Sequence, residues 1–306
     1  MTDSACALVT GASGYIGSQL VKALLARGWQ VHVLLREHSS VDMLQAVSSD
    51  VTVHRHDGTT AGLIETMARV KPTTVFHLAS LFLAQHDARD VESLVVSNVL
   101  FSTQLLEAMV ATDTKRLVNT GTSWQYFESD AYRPVNLYAA TKQAFEGILA
   151  YYVDAKNIQA ITLHLFDTYG PADPRPKLIA LLRKTAGAST SLAMSGGEQL
   201  IDLVHVDDVI QAYVLSAALM ASPNFASPQS FGVSSGAPLR LKDLVAVFEK
   251  VWEVKLPIAW GVRPYREREV MRPWVSYSCV PGWKPQVSLE VGLAAVRAYE
   301  QDHKFQ

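Results

Sequence analysis

Cysteine is almost absent from this chain, whose 306 residues include only Cys6 and Cys279. Two cysteines so far apart do not make the disulfide framework of small secreted domains, so a reducing compartment, the cytoplasm, is expected. Histidine and cysteine also lack the spacing of zinc ligands, and we predict no metal site. The cluster of His205, Asp207 and Asp208 is better explained by capping of the helix that begins near Asp208.

Strong charge and long apolar runs are missing as well. The 27 Lys and Arg residues nearly balance the 29 Asp and Glu residues, which leaves a formal net charge of -2. This balance gives no electrostatic basis for binding nucleic acid or an anionic membrane. No apolar run reaches the roughly 20 residues of a spanning helix, and the stretch after Met1 lacks the basic region of a targeting signal. We expect neither nucleic acid nor a membrane as a partner.

Apolar residues, by contrast, are plentiful at 49% of the chain, which is enough for a sizeable core. From Cys6 to Phe166, segments with the apolar pattern of strands alternate with segments that have the apolar repeat of helices. Such alternation predicts an α/β fold of Rossmann type, with a doubly wound parallel sheet.

The pattern changes after Tyr169, where the segment YGPADPRP is rich in proline and glycine, and the sequence from Phe225 onward reads as irregular. We therefore expect a smaller C-terminal substrate lobe whose segments interleave with the sheet. In this division the dinucleotide-binding domain takes residues 1–167 and 200–222, and the substrate lobe takes residues 168–199 and 223–306.

A glycine motif, GASGYIG, spans Gly11 to Gly17 between the first strand and an amphipathic helix. In this context Gly11 permits a tight turn, Gly14 lets the backbone approach a pyrophosphate, and Gly17 allows close packing of helix and strand. The helix N-terminus then offers free N–H groups to the phosphates. The cofactor-binding residues expected from this segment are Gly11, Ser13, Gly14, Tyr15, Ile16 and Gly17.

The end of the second predicted strand favours NADP(H) as cofactor, with NAD(H) as the alternative. NAD sites commonly carry Asp or Glu there for the ribose 2′-hydroxyl, whereas this chain has Arg36, which can pair with a 2′-phosphate. The neighbouring Glu37 keeps the alternative open. After the third strand, Asp57 and Gly58 are expected to meet the adenine.

Tyr138 and Lys142 form a Y-x-x-x-K pair, whose positions share one face of a helix. A free tyrosine with a pKa near ~10 is a poor acid–base catalyst, and a neighbouring ammonium lowers that pKa. The same chemistry needs a second hydroxyl to hold the substrate oxygen. Thr122 and Ser123 both lie where the fifth strand ends, the edge at which open α/β sheets bind ligands.

In order along the chain come GASGYIG, HLAS, Asn98, the hydroxyls after the fifth strand, YAATK, FDTYGPADPR and IDLVHVDDV. Together they resemble the extended short-chain dehydrogenase/reductases, the NAD-dependent epimerase/dehydratase family, over nearly the whole chain. The resemblance implies that Thr122 carries the catalytic hydroxyl. It also implies a homodimer formed through the helices that carry Asn98 and Tyr138. Further cofactor contacts that it implies are Leu78, Ala79, Ser80, Asn98 and Lys142.

Within that family, the run WGVRPYREREVM followed by GWKP resembles the CDP-abequose and CDP-paratose synthases, which reduce the 4-keto group of a nucleotide-linked 6-deoxyhexose. The resemblance implies that Arg266 meets the phosphates of the sugar nucleotide. The residues expected to line the sugar site are Ser123, Trp124 and Gln125.

Three departures from the family pattern restrict the activity. Dehydratases of the family place Asp–Glu directly after the catalytic threonine, whereas Ser123 and Trp124 stand here, so a dehydratase is not expected. Ile201 occupies a position where many relatives have arginine, and an apolar side chain cannot pair with a diphosphate. Asp167 replaces the family's asparagine, and no role is assigned to it.

These observations predict an oxidoreductase: a ketoreductase for a nucleotide-linked 4-keto-6-deoxy sugar, with Tyr138 as proton donor. The alternatives are a nucleotide-sugar 4-epimerase that retains NAD and a reductase of a non-sugar carbonyl. A dinucleotide sensor without catalysis is disfavoured, because a sensor has no need of both Tyr138 and Lys142.

Overall fold

A computed structural model describes residues 5–303, and the stretch after Met1, for which no targeting signal is expected, lies mostly outside that range. Strands and helices alternate through its first two thirds. They are β1 (Cys6–Thr10), α1 (Tyr15–Leu25), β2 (Gln30–Arg36), β3 (Val51–His56), α2 (Thr60–Val70), β4 (Thr74–His77), α3 (Val91–Val95), α4 (Phe101–Ala111), β5 (Arg116–Thr122), α5 (Leu137–Lys156), β6 (Gln159–Leu165), β7 (Asp167–Tyr169), α6 (Leu178–Thr185), β8 (Leu192–Ala193), β9 (Leu200–Ile201), β10 (Leu203–His205) and α7 (Val206–Met220).

The remainder contains β11 (Gln229–Val233), β12 (Leu239–Arg240), α8 (Leu241–Trp252), β13 (Ile258–Ala259) and α9 (Leu289–His303). The expectation that the chain is irregular from Phe225 onward is therefore wrong. Two regular helices and an edge strand of the main sheet lie in that region. Short apolar segments between prolines conceal them, because their partners are distant in sequence.

Seven strands form one parallel sheet in the order β11-β6-β5-β4-β1-β2-β3. The strand order reverses direction at β1, so β1 and β4 border the point at which the chain switches from one half of the sheet to the other. Ligands of open α/β sheets bind at such a point, beyond the carboxyl ends of the strands. The prediction of a doubly wound Rossmann-type sheet is confirmed.

Alternate side chains of the strands pack into two apolar layers, one on each face of the sheet. On one face Val9 and its neighbours pack with α1 and α7, where Tyr213 is fully buried. On the other, Leu8 packs with α2, α4 and α5, where Phe145 is fully buried. This separation follows from the two-residue period of strands.

A third apolar cluster gathers residues that follow the sixth strand. Leu182 of α6, Phe248 of α8 and Leu293 of α9 are fully buried in it. It supplies the C-terminal substrate lobe with its own core. The predicted domain boundaries themselves stay a prediction, and β11 lies in the main sheet although it falls within residues 223–306.

One helical stretch, Ala88–Ala111, is long and apolar enough by length and composition to cross a membrane. It contains α3, a π-helical turn at Val96–Leu100 and α4. Helices that pack inside a globular domain pass the same test, and Leu105 and Leu106 are fully buried against the sheet. Within the stretch, its apolar part of 18 residues is nevertheless only 39% buried, so much of the apolar surface faces outward.

Candidate active site

The glycine motif forms a tight turn between β1 and α1, and two of its positions admit no side chain. Gly11 has a φ of +71°, and a Cβ there would lie 2.6 Å from the backbone of Leu78 and Ala79. A Cβ on Gly17 would collide with the carbonyl oxygen of Gly11. Gly14 caps α1 without a side-chain hydrogen bond, which leaves the helix N-terminus open to a ligand. This cradle fits the pyrophosphate of a dinucleotide.

A cavity of about 230 Å³ opens over this turn and reaches the ends of β4 and β5. The residues predicted to bind the cofactor that line it are Gly11, Gly14, Tyr15, Ile16, Gly17, Leu78, Ser80 and Lys142. Those predicted with them that lie outside its lining are Ser13, Arg36, Asp57, Gly58, Ala79 and Asn98. Their cofactor contacts all stay predictions.

The three predicted catalytic residues, Thr122, Tyr138 and Lys142, line the same cavity. Thr122 is the last residue of β5, and its side chain and that of Ser80 each act to lower the pKa of Tyr138. Tyr138 and Lys142 are one turn apart in α5. Asn136 caps that helix by accepting a hydrogen bond from the Ala139 N–H at 3.0 Å, which fixes where the helix begins.

Burial dominates the protonation of the pair. It raises the pKa of Tyr138 to about 12, with hydrogen bonds from Ser80 and Thr122 acting against it and Asp167 acting with it. Burial also lowers the pKa of Lys142 to about 8, although the nearby Glu146 carboxylate raises it. The expected lowering of the tyrosine pKa is thus overcome by desolvation. The Tyr138 phenol is protonated at neutral pH and available to donate.

A larger cleft of about 870 Å³ adjoins this cavity and is open to the C-terminal lobe. Ser123 and Trp124 line both spaces, at their junction, and Arg266 lines the cleft. Arg268 also borders the cleft, but its guanidinium donates to the Pro134 carbonyl at 2.8 Å and lies over the Phe127 ring. The structure therefore places Ser123, Trp124 and Arg266, three of the predicted substrate residues, around one opening.

Gln125 is a correction to the predicted sugar site. Its side chain is 0% exposed and lines neither space. The amide instead accepts a hydrogen bond from the Thr122 N–H at 2.9 Å and donates to Gln143 and Glu146, each at 2.8 Å. The short turn at Ser123–Gln125 directs it into the core because Thr122 caps that turn.

Asn98 supports the loop after β4 from behind. Its Oδ1 accepts from Ser80 Oγ at 3.1 Å and from the Leu81 N–H at 2.8 Å, while its Nδ2 donates to Thr141 Oγ1 at 2.9 Å. These bonds tie the Ser80 loop to α5. Asn98 therefore orients Ser80, whose side chain acts to lower the pKa of Tyr138.

At the far end of the dinucleotide site, Arg36 is exposed at the end of β2. Arg55 of β3 holds the following loop, because its Nη1 donates to the carbonyls of Arg36, Glu37 and Ser39 at 2.8–3.1 Å. Asp57 is turned toward its own chain, where Oδ1 accepts from the Thr59 N–H and hydroxyl, each at 2.9 Å.

Phe82, Asp167 and Lys177 line both cavity and cleft and are not among the predicted site residues. The Phe82 ring lies edge-on to Tyr138 at 5.0 Å between centroids and 5.6 Å from Trp124, which gives the site an aromatic wall. Lys177 Nζ lies 3.3 Å from Asp167 Oδ1 and 5.5 Å from the Phe82 ring centroid. Phe82 and Asp167 follow the carboxyl ends of β4 and β6, a signal that sequence reasoning could have used. Lys177 lies in a proline-rich segment that carries no such signal.

Comparison with known proteins gives a consistent result. A model of the NAD dependent epimerase/dehydratase family matches residues 7–225. The chain is 26% identical over 273 residues to a CDP-abequose synthase of Yersinia pseudotuberculosis, covering 88% of this chain and 92% of that one. It is 28% identical over 314 residues to a UDP-glucose 4-epimerase of Mycolicibacterium smegmatis, covering 94% and 96%.

Solved structures show the same architecture. The UDP-glucose 4-epimerase of Thermotoga maritima with UDP-glucose superposes with a TM-score of 0.85 at 22% identity, over 97% of this chain and 99% of that one. At that identity the similarity establishes the fold alone.

Proposed function

The chain belongs to the NAD-dependent epimerase/dehydratase family, and from that premise we propose that it is an NADP(H)-dependent ketoreductase acting on a nucleotide-linked 4-keto-6-deoxy sugar. The observation that carries the proposal is that Thr122 and Tyr138 line one cavity, while Ser123 and Trp124, at its junction with the cleft, stand in place of a dehydratase's carboxyls. This constellation can donate a proton to a carbonyl oxygen, and neither Ser123 nor Trp124 has a carboxyl group that could act as acid or base in the elimination of water.

In this mechanism the three catalytic residues have separate roles. Thr122 donates a hydrogen bond to the substrate carbonyl oxygen, and Tyr138 transfers its phenolic proton to that oxygen as negative charge develops. Lys142 holds the cofactor ribose and stabilises the tyrosinate that remains. A reduced nicotinamide held by these residues would supply the hydride, while the protein contributes orientation and electrostatics.

The choice of NADP(H) is supported by the loop after β2. Arg36 stands where an NAD site commonly has a carboxylate, and its guanidinium can pair with a 2′-phosphate. Arg55 fixes the backbone of that loop through three carbonyls, which restricts where Arg36 can lie. A second guanidinium beside the loop also adds positive charge near the proposed phosphate.

A nucleotide-linked sugar is supported by the size and charge of the cleft. At about 870 Å³ it has room for a sugar nucleotide, and its C-terminal rim carries Arg263 and Arg266. Within residues 5–303 the Arg266 guanidinium has no bonding partner, which leaves its donors free for phosphate oxygens. Relatives named CDP-abequose synthase point to the same chemistry.

A 4-epimerase is the second candidate, favoured by the similarity to UDP-glucose 4-epimerases. Such an enzyme uses the same hydroxyl pair but returns the hydride to its substrate, so no net oxidation of cofactor occurs. Reduction of a non-sugar carbonyl is the third reading, left open by Ile201 at a position where an arginine is common among relatives.

The test is absorbance at the reduced-nicotinamide band, with purified protein, NADPH or NADH, and NDP-4-keto-6-deoxyhexoses freshly made by a dehydratase. We expect oxidation of NADPH with at least one sugar. Cofactor binding without oxidation across the panel would reject the reductase proposal. Interconversion of UDP-hexoses by protein with retained NAD would then support the epimerase.

The proposal extends to a homodimer. Val95, Val96 and Leu100 of the long helical stretch, and Tyr151 of α5, are all exposed. The two stretches contact each other, and we propose that these side chains belong to one apolar face on adjacent helices. A second copy of the chain is its proposed occupant, since a self-complementary pairing of such a face closes a dimer.

A further inference from the structure

A buried polar cluster lies behind the catalytic residues, away from both the cavity and the cleft. We call it the rear cluster, and it consists of Gln125, Gln143, Glu146 and His164. Gln125 and His164 are fully buried, and the Glu146 side chain is 16% exposed. A charged group in such a place is costly unless its partners compensate it, so its partners indicate what it does.

Gln125 joins the rear cluster to the catalytic strand. Its Oε1 accepts from the Thr122 N–H at 2.9 Å, and its Nε2 donates to Glu146 Oε1 and Gln143 Oε1, each at 2.8 Å. A carboxylate can only accept, so the Nε2 atom must face Glu146 and the Oε1 atom must face Thr122. Glu146 thereby fixes the orientation of the amide that holds the Thr122 backbone.

His164 of β6 holds the other side of Glu146. Its Nε2 lies 3.2 Å from Glu146 Oε1, and its Nδ1 lies 3.0 Å from Ser230 Oγ. The ring of His164 therefore lies between the Glu146 carboxylate and the Ser230 hydroxyl. Gly121 makes room for this arrangement, because a Cβ there would lie 2.7 Å from His164 Cδ2 and 3.1 Å from Gln125 Oε1.

The carboxylate also acts on Lys142, which precedes it by one turn of α5 on the same face. Burial raises the pKa of Glu146, but the neighbouring His164, the hydrogen bond from Gln125 and the charge of Lys142 outweigh burial and hold that pKa below its usual value. The charged carboxylate in turn raises the pKa of Lys142. The Glu146 carboxylate therefore carries a negative charge at neutral pH.

Other titratable groups face this pair from the neighbouring elements. Burial is the main cause that raises the pKa of Tyr126 and Tyr132, which precede α5, and the Glu146 charge raises both pKa values further. Burial is the main cause that lowers the pKa of His77 in β4, and the charge of Lys142 lowers it further. Asp167 acts on Tyr138 rather than on Lys142. Among these groups Glu146 alone favours the charged form of Lys142.

We propose that Glu146 is a positioning residue for the reaction: through Gln125 it fixes the backbone that carries the Thr122 hydroxyl, and its charge keeps Lys142 an ammonium. The inference deepens the proposed ketoreductase function and rests on it. Glu146 touches neither substrate nor cofactor. Its effect reaches the reaction through Thr122 and Lys142.

The test compares pH profiles of kcat/KM for Glu146→Gln, Glu146→Asp and wild type. Glutamine keeps the shape and an acceptor oxygen but removes the charge, so Lys142 loses its proton at lower pH. We expect the alkaline limb to move down by about one pH unit, the low end of the effect of a nearby opposite charge. Aspartate retains the charge and should restore the position of the limb, even at a reduced rate.

Asp154→Asn is the matched control, since it removes an exposed carboxylate from the same helix and should leave the limb unmoved. A uniform loss of rate in Glu146→Gln with an unmoved limb would reduce the residue to a structural role and overturn the inference. Equal shifts in Glu146→Gln and Asp154→Asn would overturn it as well.

A second readout separates this inference from the proposed function. NADPH binding, followed by fluorescence from pH 6 to 10, depends on charged Lys142 at the ribose and requires no turnover. We expect the affinity of Glu146→Gln to fall at lower pH than that of wild type. If the wild-type protein oxidises NADPH with no keto sugar but the two proteins still differ in the pH dependence of NADPH binding, the reductase is rejected and the role of Glu146 is retained. If the wild-type protein is active and the two proteins bind NADPH with the same pH dependence, the role of Glu146 is rejected and the reductase is retained.

Discussion

Lys177 Nζ lies 3.3 Å from Oδ1 of Asp167, and this ion pair stands where the cofactor cavity meets the substrate cleft. Both side chains are about one third exposed, so solvent screens the pair only in part. Asp167 also adds to the effect of burial in raising the pKa of Tyr138. A carboxylate at this position keeps the phenol in its acid form, the form from which a reductase donates a proton.

Asp167→Asn should therefore lower the pKa of Tyr138, because the phenol loses its proton more easily without the nearby charge. Lys177→Gln should raise that pKa, since it removes the cation that offsets Asp167. Tyrosinate absorbance followed to high pH, with Tyr138→Phe to identify the signal, measures both shifts, and shifts of the same sign in both variants would contradict the prediction.

Tyr138→Phe should lower kcat by roughly 10²- to 10⁴-fold, the usual contribution of a general acid, while the affinity for cofactor stays near that of wild type. Stopped-flow hydride transfer and a fluorescence titration with NADPH measure the two effects separately. Tyr151→Phe, on the exposed side of the same helix, is the matched control. Turnover retained in Tyr138→Phe would support the non-catalytic sensor.

Arg36→Ala should weaken the binding of NADPH by roughly 10- to 100-fold and leave NADH almost unaffected, because a hydrogen bond to a charged group contributes about 1.5–3 kcal/mol. Titrations with both cofactors measure the ratio. Arg27→Ala serves as control, since Arg27 is exposed and only donates to the Ala23 carbonyl. An equal loss for NADPH and NADH would place the 2′-phosphate elsewhere.

Stability should fall as the pH drops below about 6.5, and His77 is a main cause. Burial lowers its pKa to about 3, and its ring nitrogens lie 2.8 Å from Thr10 Oγ1 and 2.8 Å from Ser102 Oγ. The unfolded chain binds a proton at this residue below pH 6.5 whereas the folded chain does not, so the folded state loses about 1.4 kcal/mol per pH unit between these values.

Urea unfolding at several pH values measures that slope. His77→Gln should flatten it, and His38→Gln, which changes an exposed histidine, should not. His32 and His54, whose pKa values are also lowered by burial, act in the same direction and leave a residual slope. An unchanged slope in His77→Gln would show that His77 titrates normally in the folded protein.

Leu100→Asp should convert the proposed dimer to a monomer, since a buried unpaired carboxylate at the centre of an apolar interface is costly. Leu100 is 49% exposed in the single chain, so the folded monomer itself should tolerate the change. Light scattering after gel filtration measures the mass. Val291→Asp, on α9, is the control, and a wild-type protein that elutes as a monomer would reject the dimer.

Local chemistry explains which parts of the site the sequence could predict. Gly11 and Gly17 are readable because a turn between strand and helix leaves them no room for a side chain, and Tyr138 and Lys142 because helical spacing alone brings them together. The parallel sheet follows in the same way from periodicity. Each of these rules operates within about ten residues.

Distant partners explain what the sequence could not predict. Asp208 fits the local pattern of a helix cap, but α7 begins at Val206 and is capped by His205. The Asp208 carboxylate instead accepts hydrogen bonds from the backbone of Gln286 at 2.9 Å and Val287 at 3.1 Å. Gln125 turned inward for a similar reason, because its partner Glu146 lies on another element. Such contacts are decided by tertiary packing.

The π-helical turn at Val96–Leu100 sets the rotational phase of everything after it in the long helical stretch. A π turn holds one residue more than an α turn, so deletion of one residue there would rotate α4 by about 100° relative to α3. Ser102 would then leave His77, and the outward apolar face would no longer run continuously from Val95 to Leu100. The extra residue of the π turn thus lets this helical stretch hold the Ser80 loop through Asn98 and also present the apolar face proposed for the dimer.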